Sequence, residues 1–552
     1  MKLPEPQSRT FSSLISDIET GQIKIPQFQR EFVWDIQKSA QLMDSIVKGY
    51  PIGTFIFWRT KERLRSVRDL GKIQLPQPND GEYIDFVLDG QQRLTSLFAS
   101  LKGAKITREN GKEDDYAEIY LDLAADEDDH IVTIDIADKS PESIIRLTDL
   151  LYGGITLLTK YPAQYLSAIE EYKRRIESYN YSIIQIREAP IEIATEIFTR
   201  INVGGKPLSV FEIMIAKTFD AEKGFDLAEK FNNLLDDLRP LEYETISDAT
   251  VLQAVSIILE KECQKKVILK LDKERYIAIW ETAVDAIHRT VEYFRGYYRI
   301  PVSQLLPYNA LLVPFAYFFS KHPDKPIGEK QKYLEDFFWR CAISGRYSSA
   351  VESKLAQDIK RIDLILEGKL PKYDWAVNIS EKFIIDNGWF SAGRSFIKAI
   401  LCLYAYQIPT SFIDNSIVNI SNYWLKQANS KNYHHFFPKS YLKKKNEDDF
   451  YTNHVLNITI VDDFLNKREI RAQAPSKYMN RFKDLNPKLE EAMRTHLIPN
   501  LEEFGVWQDD YDRFFEKRAK LVSNELRKRI IPQEIDQDPV MVLPEEYEEI
   551  DQ

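Results

Sequence analysis

Residues 88–97 of the chain read Leu88-Asp89-Gly90-Gln91-Gln92-Arg93-Leu94-Thr95-Ser96-Leu97. The apolar run Phe86–Leu88 predicts a strand, Asp89-Gly90 a tight turn, and the following residues a helix that begins near Gln91 and ends at Gly103. Apolar residues at helical spacing predict one buried face of that helix: Leu94, Leu97, Phe98 and Leu101. A junction of strand, glycine and helix presents main-chain N–H groups, which bind phosphate well.

Two charged side chains flank this turn. Arg93 lies in the first helical turn and off the apolar face, so it can reach an anion. Asp89 would repel a bare phosphate, and three interpretations stay open for it: holding a phosphate-bound metal, orienting water, or capping the helix.

Two further motifs accompany the turn, one on each side of it in the sequence. The first covers residues 25–34, Ile-Pro-Gln-Phe-Gln-Arg-Glu-Phe-Val-Trp, and the second covers residues 198–209, Phe-Thr-Arg-Ile-Asn-Val-Gly-Gly-Lys-Pro-Leu-Ser. Neither is a P-loop. Gly204-Gly205 is also compatible with an ordinary turn, and Arg30-Glu31 with a surface ion pair.

The three motifs, in this order, resemble the N-terminal domain of GmrSD-type restriction endonucleases over about residues 10–220. That domain is similar to the ParB/sulfiredoxin fold, in which a Gly-X-X-Arg-type turn binds nucleotide phosphates. The resemblance implies binding and hydrolysis of a nucleoside triphosphate, with GTP, ATP, UTP and CTP all left open. The residues it implies for this site are Asp89 as a catalytic group, with Gly90, Gln91, Gln92, Arg93, Gln29, Arg30, Asn202 and Lys206 as the nucleotide-binding set.

Histidine and asparagine residues form a second group of motifs near the C-terminus. They read His434-His435-Phe436-Phe437-Pro438, then 453–459 as Asn-His-Val-Leu-Asn-Ile-Thr, then Asn466-Lys467. Hydrolysis of a phosphodiester needs a metal ion and a base that works near neutral pH, and histidine suits that pH. Adjacent side chains point to opposite sides of a strand, so one histidine can hold a metal while the other faces water. Taken alone, a pair of histidines is more typical of ordinary core or surface packing.

The order His-His-x-x-Pro, Asn, Asn resembles the HNH nuclease signature, and also the C-terminal domain that accompanies the GmrSD N-terminal domain. The resemblance implies a ββα-metal domain in which His435 is the general base and His434 and Asn466 bind the metal. Asn457 would brace the loop that orients His435. Histidine at 434, where the family often has Asp, is a softer ligand, so Mg²⁺ and Mn²⁺ both stay open. His454 has no assigned role.

Charge is unevenly distributed along the chain. The net charge is −11, yet residues 431–483 hold 11 Lys and Arg against 6 Asp and Glu. Such a local basic surface favours DNA binding, because screening confines the effect of distant charges. The lysines expected to contact DNA are Lys439, Lys443, Lys444, Lys445 and Lys467.

The length of the chain and the change in sequence pattern along it predict a multidomain α+β protein. Its expected parts are an α/β nucleotide-binding domain (1–220), a helical connecting region (221–430), the HNH domain (431–532) and an acidic tail (533–552). No long apolar run or apolar signal core is present, and three widely separated cysteines predict buried free thiols. We therefore expect a cytoplasmic protein without a membrane partner.

The combined resemblance implies a nucleotide-regulated, metal-dependent DNA endonuclease or nickase, similar to GmrSD and SspE-type proteins, which restrict modified or invading phage DNA. Two alternatives stay open: a nucleotide-switched DNA-binding regulator with an inactive HNH domain, and a toxin nuclease without modification preference. One HNH site cuts one strand, so a double-strand break would need two events or a homodimer.

Overall fold

The computed structural model describes residues 4–26, 29, 32–62, 75–76, 78–79, 81–107, 113–126, 129–201, 208–220, 222–422, 425, 433–461, 470, 472–537 and 543, without the side chains of 192 and 199. The chain divides into two compact units, Met1–Leu227 and Ala228–Gln552. The finer division of the second unit into a connecting region, a nuclease domain and a tail stays a prediction.

The N-terminal unit alternates strands and helices. Its described strands are β1 (Glu5–Thr10), β2 (Ile23–Lys24), β3 (Phe55–Thr60), β4 (Ile84–Asp89), β5 (Lys105–Thr107), β6 (Glu113–Asp115), β7 (Tyr120–Asp122), β8 (Val132–Thr133), β9 (Ile144–Arg146) and β10 (Asn180–Arg187). Its described helices are α1 (Phe11–Glu19), α2 (Ile36–Val47), α3 (Gln91–Lys102), α4 (Leu147–Tyr152), α5 (Gly154–Leu158), α6 (Ala163–Glu177), α7 (Ile191–Ile201) and α8 (Val210–Thr218).

The main sheet has the strand order β1-β10-β3-β4-β2. The pairs β1/β10 and β3/β4 are antiparallel, whereas β10/β3 and β2/β4 are parallel. A two-stranded sheet (β5-β6) and a three-stranded sheet (β8-β7-β9) are formed by residues between β4 and β10 in the sequence. The mixed α/β organisation expected for this part of the chain is confirmed.

Apolar side chains cover both faces of the main sheet. Val87 of β4 lies in a core with residues of α1, α2 and α3. Phe86 and Leu88, on the other face of the same strand, pack with residues of α7. Burial on both faces explains why the centre of β4, Phe86–Leu88, is a continuous apolar run rather than an alternating one.

The predicted junction after β4 is confirmed. Helix α3 begins at Gln91 and is followed by Gly103, which adopts a left-handed conformation. The four residues predicted for its apolar face are all buried: Leu94, Leu97, Phe98 and Leu101. Asp35 caps α2, since its Oδ1 accepts from the N–H of Lys38 at 2.7 Å.

The C-terminal unit is mostly helical. Its helices begin with α9 (Leu227–Leu238), which starts at the last residue of the first unit, and continue with α10 (Asp248–Glu260), α11 (Lys265–Ile268), α12 (Lys273–Gly296), α13 (Leu312–Lys321), α14 (Gly328–Ile343), α15 (Val351–Leu366), α16 (Glu381–Asn387), α17 (Ser395–Tyr406), α18 (Lys439–Lys444), α19 (Asp449–Thr452), α20 (Pro475–Leu485), α21 (Leu489–Arg494) and α22 (Tyr511–Arg527). Two short strands, β11 (Tyr433–His435) and β12 (Ile458–Ile460), pair antiparallel.

The three cysteines are placed as the sequence predicts. Cys263, Cys341 and Cys402 are free and buried, and burial raises the pKa of each thiol. Within the described ranges, no helix is both long and apolar enough to cross a membrane.

A buried ion network fastens the chain after α22 to the helices. The fully buried Arg340 donates to Asp536 through Nη2 at 2.6 Å and through Nη1 at 3.1 Å. Its Nε donates to Asp336 at 3.0 Å, and its guanidinium lies 4.6 Å from the centre of the Tyr373 ring. The first residues of the predicted acidic tail are therefore anchored.

Arg340→Met should lower the free energy of unfolding of the C-terminal unit by about 3–5 kcal/mol, because it leaves two carboxylates without their cation. The measurement is denaturant unfolding of the full chain, followed by hydrogen exchange in 228–552. Lys528→Met is the control, because Lys528 pairs with Glu525 while 66% exposed, and such pairs contribute less than about 1 kcal/mol. Equal losses in the two variants would contradict the prediction.

Candidate functional site

The N-terminal motif is organised by Gly90. This residue precedes α3 with φ 92° and ψ 10°, and among the described residues no side chain caps the helix. A β-carbon at Gly90 would lie 2.5 Å from Cδ1 of Phe55. Glycine is thus required both by the left-handed backbone and by the close approach of a core ring. The capping interpretation of Asp89 is not supported.

Arg93 joins the junction to the loop before β3. Its Nη1 donates to the carbonyl of Ile52 at 2.8 Å, and its Nη2 donates to the carbonyl of Thr54 at 3.0 Å. Nη2 also contacts Oδ2 of Asp89 at 3.1 Å, and the guanidinium lies 5.2 Å from the centre of the Phe55 ring. Because Arg93 makes these contacts, alanine at this position would loosen the loop before β3. The sequence analysis did not predict this structural role.

The glutamines of the motifs bond to main-chain groups. Gln29 Nε2 donates to both carbonyl oxygens of residues 87–88 at 2.9 Å. Gln92 Oε1 accepts from the N–H groups of 33–34 at 2.8 and 3.3 Å. Both side chains are buried, as is Gln91. The first two motifs are therefore adjacent in space, and the glutamines hold them together.

Asp89 differs from these residues because a third of its side chain is exposed to solvent. It is a carboxylate beside a helix N-terminus, where it can meet a metal-bound phosphate or a water molecule. Other residues predicted for this site lie outside the described part of the chain: Arg30, Asn202 and Lys206.

The two adjacent histidines lie on β11, on opposite faces of the hairpin. His434 pairs with Thr459 and His435 with Ile458. His434 is 2% exposed, whereas His435 is partly exposed. The two imidazoles thus have different surroundings, as expected for neighbours on a strand.

The hydrogen bonds of His434 indicate its tautomer. Thr459 Oγ1 donates to the carbonyl of His434 at 3.3 Å, so it accepts from His434 Nδ1–H at 3.1 Å. The lone pair therefore lies on Nε2, which is buried and has no hydrogen-bond partner among the described residues. A neutral imidazole with one N–H fixed and the other nitrogen open is the form that binds a metal.

The hydrogen bonds around His435 indicate its tautomer as well. Asn453 Nδ2 donates to the carbonyl of Phe390 at 3.0 Å, which leaves Asn453 Oδ1 facing His435 Nε2 at 3.1 Å. His435 Nε2 must then carry the proton, and Nδ1 is the nitrogen that can accept one. The sequence analysis assigned no role to Asn453, and its partner Phe390 is 63 residues away in the sequence.

Asn457 braces the turn after β11. Its Oδ1 accepts from the N–H of Phe437 at 2.8 Å, and its Nδ2 donates to the carbonyls of Phe437 and Thr452 at 2.9 and 3.2 Å. Asn457 is fully buried. These hydrogen bonds hold the turn that follows β11, and a part for Asn457 in catalysis stays a prediction.

His454 has a structural role in this geometry. Its Nε2 donates to the carbonyl of Ile385 at 2.9 Å, and its Nδ1 accepts from the N–H of Leu456 at 3.1 Å. Its ring also packs at 4.7 Å from that of Phe515. His454 therefore connects the hairpin to α16.

Burial controls the charge of these imidazoles. It lowers the pKa of His434 well below its usual value and that of His454 to about 4. Burial and the nearby Lys439 ammonium lower the pKa of His435 to about 4. All three rings are neutral at physiological pH, the form that accepts a proton or a metal.

The predicted DNA-contacting lysines of α18 and its C-terminal end are exposed: Lys439, Lys443, Lys444 and Lys445. Asn466 and Lys467 lie outside the described residues, as does the whole segment 462–469 where a ββα-metal fold would continue. In the described part of the chain, no three His, Cys, Asp or Glu side chains converge into a metal site.

Comparison with known proteins supports part of these expectations. Residues 11–219 match the family model of the N-terminal domain of GmrSD restriction endonucleases. The match spans most of the N-terminal unit, which is therefore similar to a domain of restriction endonucleases. The chain is also similar to an uncharacterized protein of Methanocaldococcus jannaschii, with 24% identity over 95% of this chain and 99% of that protein.

Gly90→Ala should destabilise the N-terminal unit by about 1–2 kcal/mol through its left-handed backbone and by roughly 1–3 kcal/mol more through the overlap with Phe55. Gly49→Ala is a matched control, because Gly49 has φ 77° and its β-carbon would meet no atom of the described residues within 4 Å. Thermal unfolding with hydrogen exchange across residues 84–102 measures the difference. Similar losses for the two variants would mean that Phe55 yields easily and that the junction tolerates a side chain.

Proposed function

We propose that this chain is a nucleotide-regulated, metal-dependent DNA endonuclease or nickase of the HNH type, which restricts modified or invading phage DNA. The observation that carries the proposal is the pair of adjacent imidazoles on β11. His434 offers a buried lone pair on Nε2, and His435 offers an oriented lone pair on Nδ1. Two histidines that serve only in packing would not require the lone pair to lie on Nε2 in one ring and on Nδ1 in the other.

In the proposed reaction, His435 Nδ1 accepts a proton from the attacking water. Asn453 keeps the proton on Nε2 and holds the ring in one orientation, so the base does not need to reorganise. Asn457 holds the backbone that follows His435. Lys439 and the lysines of α18 supply positive charge toward the DNA phosphates.

The residues present are compatible with a divalent metal ion. The open, buried Nε2 of His434 suits a metal ligand, and Asn466 would provide an amide oxygen, which hard cations accept. When bound, such an ion would neutralise charge on the phosphate and stabilise the leaving oxygen. The choice between Mg²⁺ and Mn²⁺ stays open, and the imidazole of His434 is a softer ligand than Mg²⁺ usually takes.

The N-terminal unit would supply the regulation. Asp89, at the exposed side of the Gly90 junction, would act on a metal-bound nucleoside triphosphate or on water during its hydrolysis. The family match supports a nuclease partner for this domain, and the identity of the nucleotide stays open. An inactive regulator is disfavoured by the intact contact between Asn453 and His435.

His435→Ala should lower the rate of DNA cutting by about 10²–10⁴-fold, the contribution of a general base, while DNA binding persists. Plasmid cutting with Mg²⁺ or Mn²⁺ and binding in EDTA measure the two effects. His288→Ala is the control, because His288 lies on α12 with a 27% exposed side chain. Asn453→Ala should give a smaller loss in kcat with little change in KM. Cutting by His435→Ala at the wild-type rate would exclude this site.

Asp89→Asn should abolish hydrolysis of nucleoside triphosphates without unfolding the N-terminal unit. The amide oxygen still accepts from Arg93, but the charge for a metal or water is gone, and about 10²–10⁴-fold in rate should be lost. Phosphate release with ATP, GTP, CTP and UTP in turn is the measurement, together with a thermal melt. Asp35→Asn is the isosteric control, since Asn caps a helix as well as Asp does. Hydrolysis by a folded Asp89→Asn protein at the wild-type rate would remove Asp89 from the site.

A further inference from the structure

The guanidinium of Arg93 lies in a close-fitting cradle beside the Gly90 junction. A β-carbon at Gly53 would lie 2.4 Å from Nη1 of Arg93, and a β-carbon at Gly90 would lie 3.3 Å from Nη2. The ring of Phe55 packs against the same group, with 5.2 Å from the guanidinium carbon to the ring centre. The side chain of Arg93 is 20% exposed. The two glycines therefore make room for the guanidinium and fix its position.

The hydrogen bonds of Arg93 leave no pair of parallel N–H groups for a phosphate. A guanidinium binds an oxyanion best through two such groups, either those of Nη1 and Nη2 or those of Nε and Nη2. Both pairs need Nη2, and Nη2 already donates to the carbonyl of Thr54 and to Oδ2 of Asp89. Nη1 donates to the carbonyl of Ile52. In this arrangement Arg93 holds groups of the protein itself.

Asp89 is held at one carboxylate oxygen and open at the other. Oδ2 accepts from Arg93 Nη2 at 3.1 Å, whereas Oδ1 accepts no hydrogen bond from any described residue. The torsion that rotates a carboxylate is broad, so a partly exposed Asp without a partner would adopt many orientations. The contact with Arg93 selects one of them and leaves Oδ1 available.

The backbone of Asp89 is fixed as well. Val87 and Asp89 pair with consecutive residues of β3, so Leu88 is an extra residue in β4 and forms a β-bulge. Bulges change the direction of neighbouring side chains and are frequent beside active sites. Gln29 Nε2 donates to the carbonyls of Val87 and Leu88 at 2.9 Å and so holds the bulge. The protein thus orients both the backbone and the side chain of Asp89.

We propose that Arg93 is a positioning residue for Asp89 and does not bind the nucleotide phosphates. This proposal rests on the nucleotide hydrolysis proposed above, and it replaces the phosphate-binding part that the resemblance implied for Arg93. Asp89 Oδ1 then meets a metal ion or a water molecule in one fixed orientation, so the carboxylate does not need to reorganise. The phosphates are left to the N-terminus of α3, whose main-chain N–H groups favour anions.

The test separates nucleotide binding from turnover in the full chain. Calorimetry with the β,γ-imido analogues of ATP, GTP, CTP and UTP measures binding, and phosphate release from the four triphosphates with Mg²⁺ measures kcat. Arg93→Lys keeps the charge but cannot hold Thr54 and Asp89 through one planar group. Its kcat should fall by about 10- to 100-fold, as expected when a reacting group is misplaced by roughly 1 Å.

Binding should respond differently from turnover. In Arg93→Lys and Arg93→Gln the dissociation constant of the analogue should stay within about 3-fold of wild type, whereas loss of two charge-assisted phosphate contacts would raise it by roughly 10²–10⁴-fold in Arg93→Gln. Arg175→Lys is the matched control and should change neither quantity. Arg175 also pairs with a carboxylate four residues earlier, that of Glu171, and donates to a main-chain carbonyl, that of Val47 at 3.1 Å.

A second pair of variants moves the guanidinium without replacing Arg93. Gly53→Ala places a β-carbon against Nη1 of Arg93, at a residue with φ 86°. Gly49→Ala adds a β-carbon in the same loop, at φ 77°, where it meets no atom of the described residues within 4 Å. Gly53→Ala should lower kcat as Arg93→Lys does, and Gly49→Ala should not. Hydrogen exchange across residues 48–57 checks that the loop stays folded in every variant.

The possible outcomes separate this proposal from the nucleotide hydrolysis on which it rests. If wild type hydrolyses a triphosphate and Arg93→Gln weakens analogue binding by about 100-fold or more with the loop intact, Arg93 is a phosphate ligand. The positioning role is then wrong and the hydrolysis stands. Turnover by Arg93→Lys or Gly53→Ala at the wild-type rate would also overturn the positioning role. If wild type neither binds nor hydrolyses any of the four nucleotides, both proposals fail together.

Discussion

The buried amide of Asn457 is the interaction on which the candidate nuclease site depends. Main-chain groups just after β11 have no partner in the sheet but are still buried in the core. An unsatisfied N–H or C=O there costs about 1–3 kcal/mol. Asn457 accepts from the N–H of Phe437 and donates to its carbonyl, so one side chain satisfies both groups. The same side chain also reaches Thr452. The turn, and with it the direction of the strand that carries the histidines, therefore has a single arrangement.

Side chains bonded to main-chain groups serve the N-terminal motif in the same way. Gln29, Gln92 and Arg93 each hold carbonyl or N–H groups of segments that are far apart in the sequence. The residues of this motif thus fix the local backbone geometry, in addition to any chemical role they have. Of its two described charged members, Asp89 has a more exposed side chain than Arg93, which is why the proposed reaction with a nucleotide is centred on Asp89.

The helical region before the hairpin is more than a spacer. Segment 385–390 supplies the carbonyls that position Asn453 and His454. The orientation of the proposed base therefore depends on residues outside the HNH-like motif. This dependence gives a physical route by which changes in the helices can alter catalysis, because a shift of Phe390 moves the acceptor that holds Asn453.

The sequence by itself determined the local elements of both sites. The apolar run, the glycine and the helical spacing after residue 86 were sufficient to predict β4, the turn and α3, since these depend on neighbours in the chain. The strand bearing His434 and His435 was likewise predicted from the local sequence, whereas the bracing role of Asn457 was implied by the resemblance to HNH nucleases. Only the tertiary structure decided which nitrogen of each imidazole carries the lone pair. It also decided that Arg93 is hydrogen-bonded to the loop before β3, and that Phe390 and Asn453 orient His435. These features depend on groups tens of residues apart, and a hydrogen bond forms only when folding brings donor and acceptor within about 3 Å.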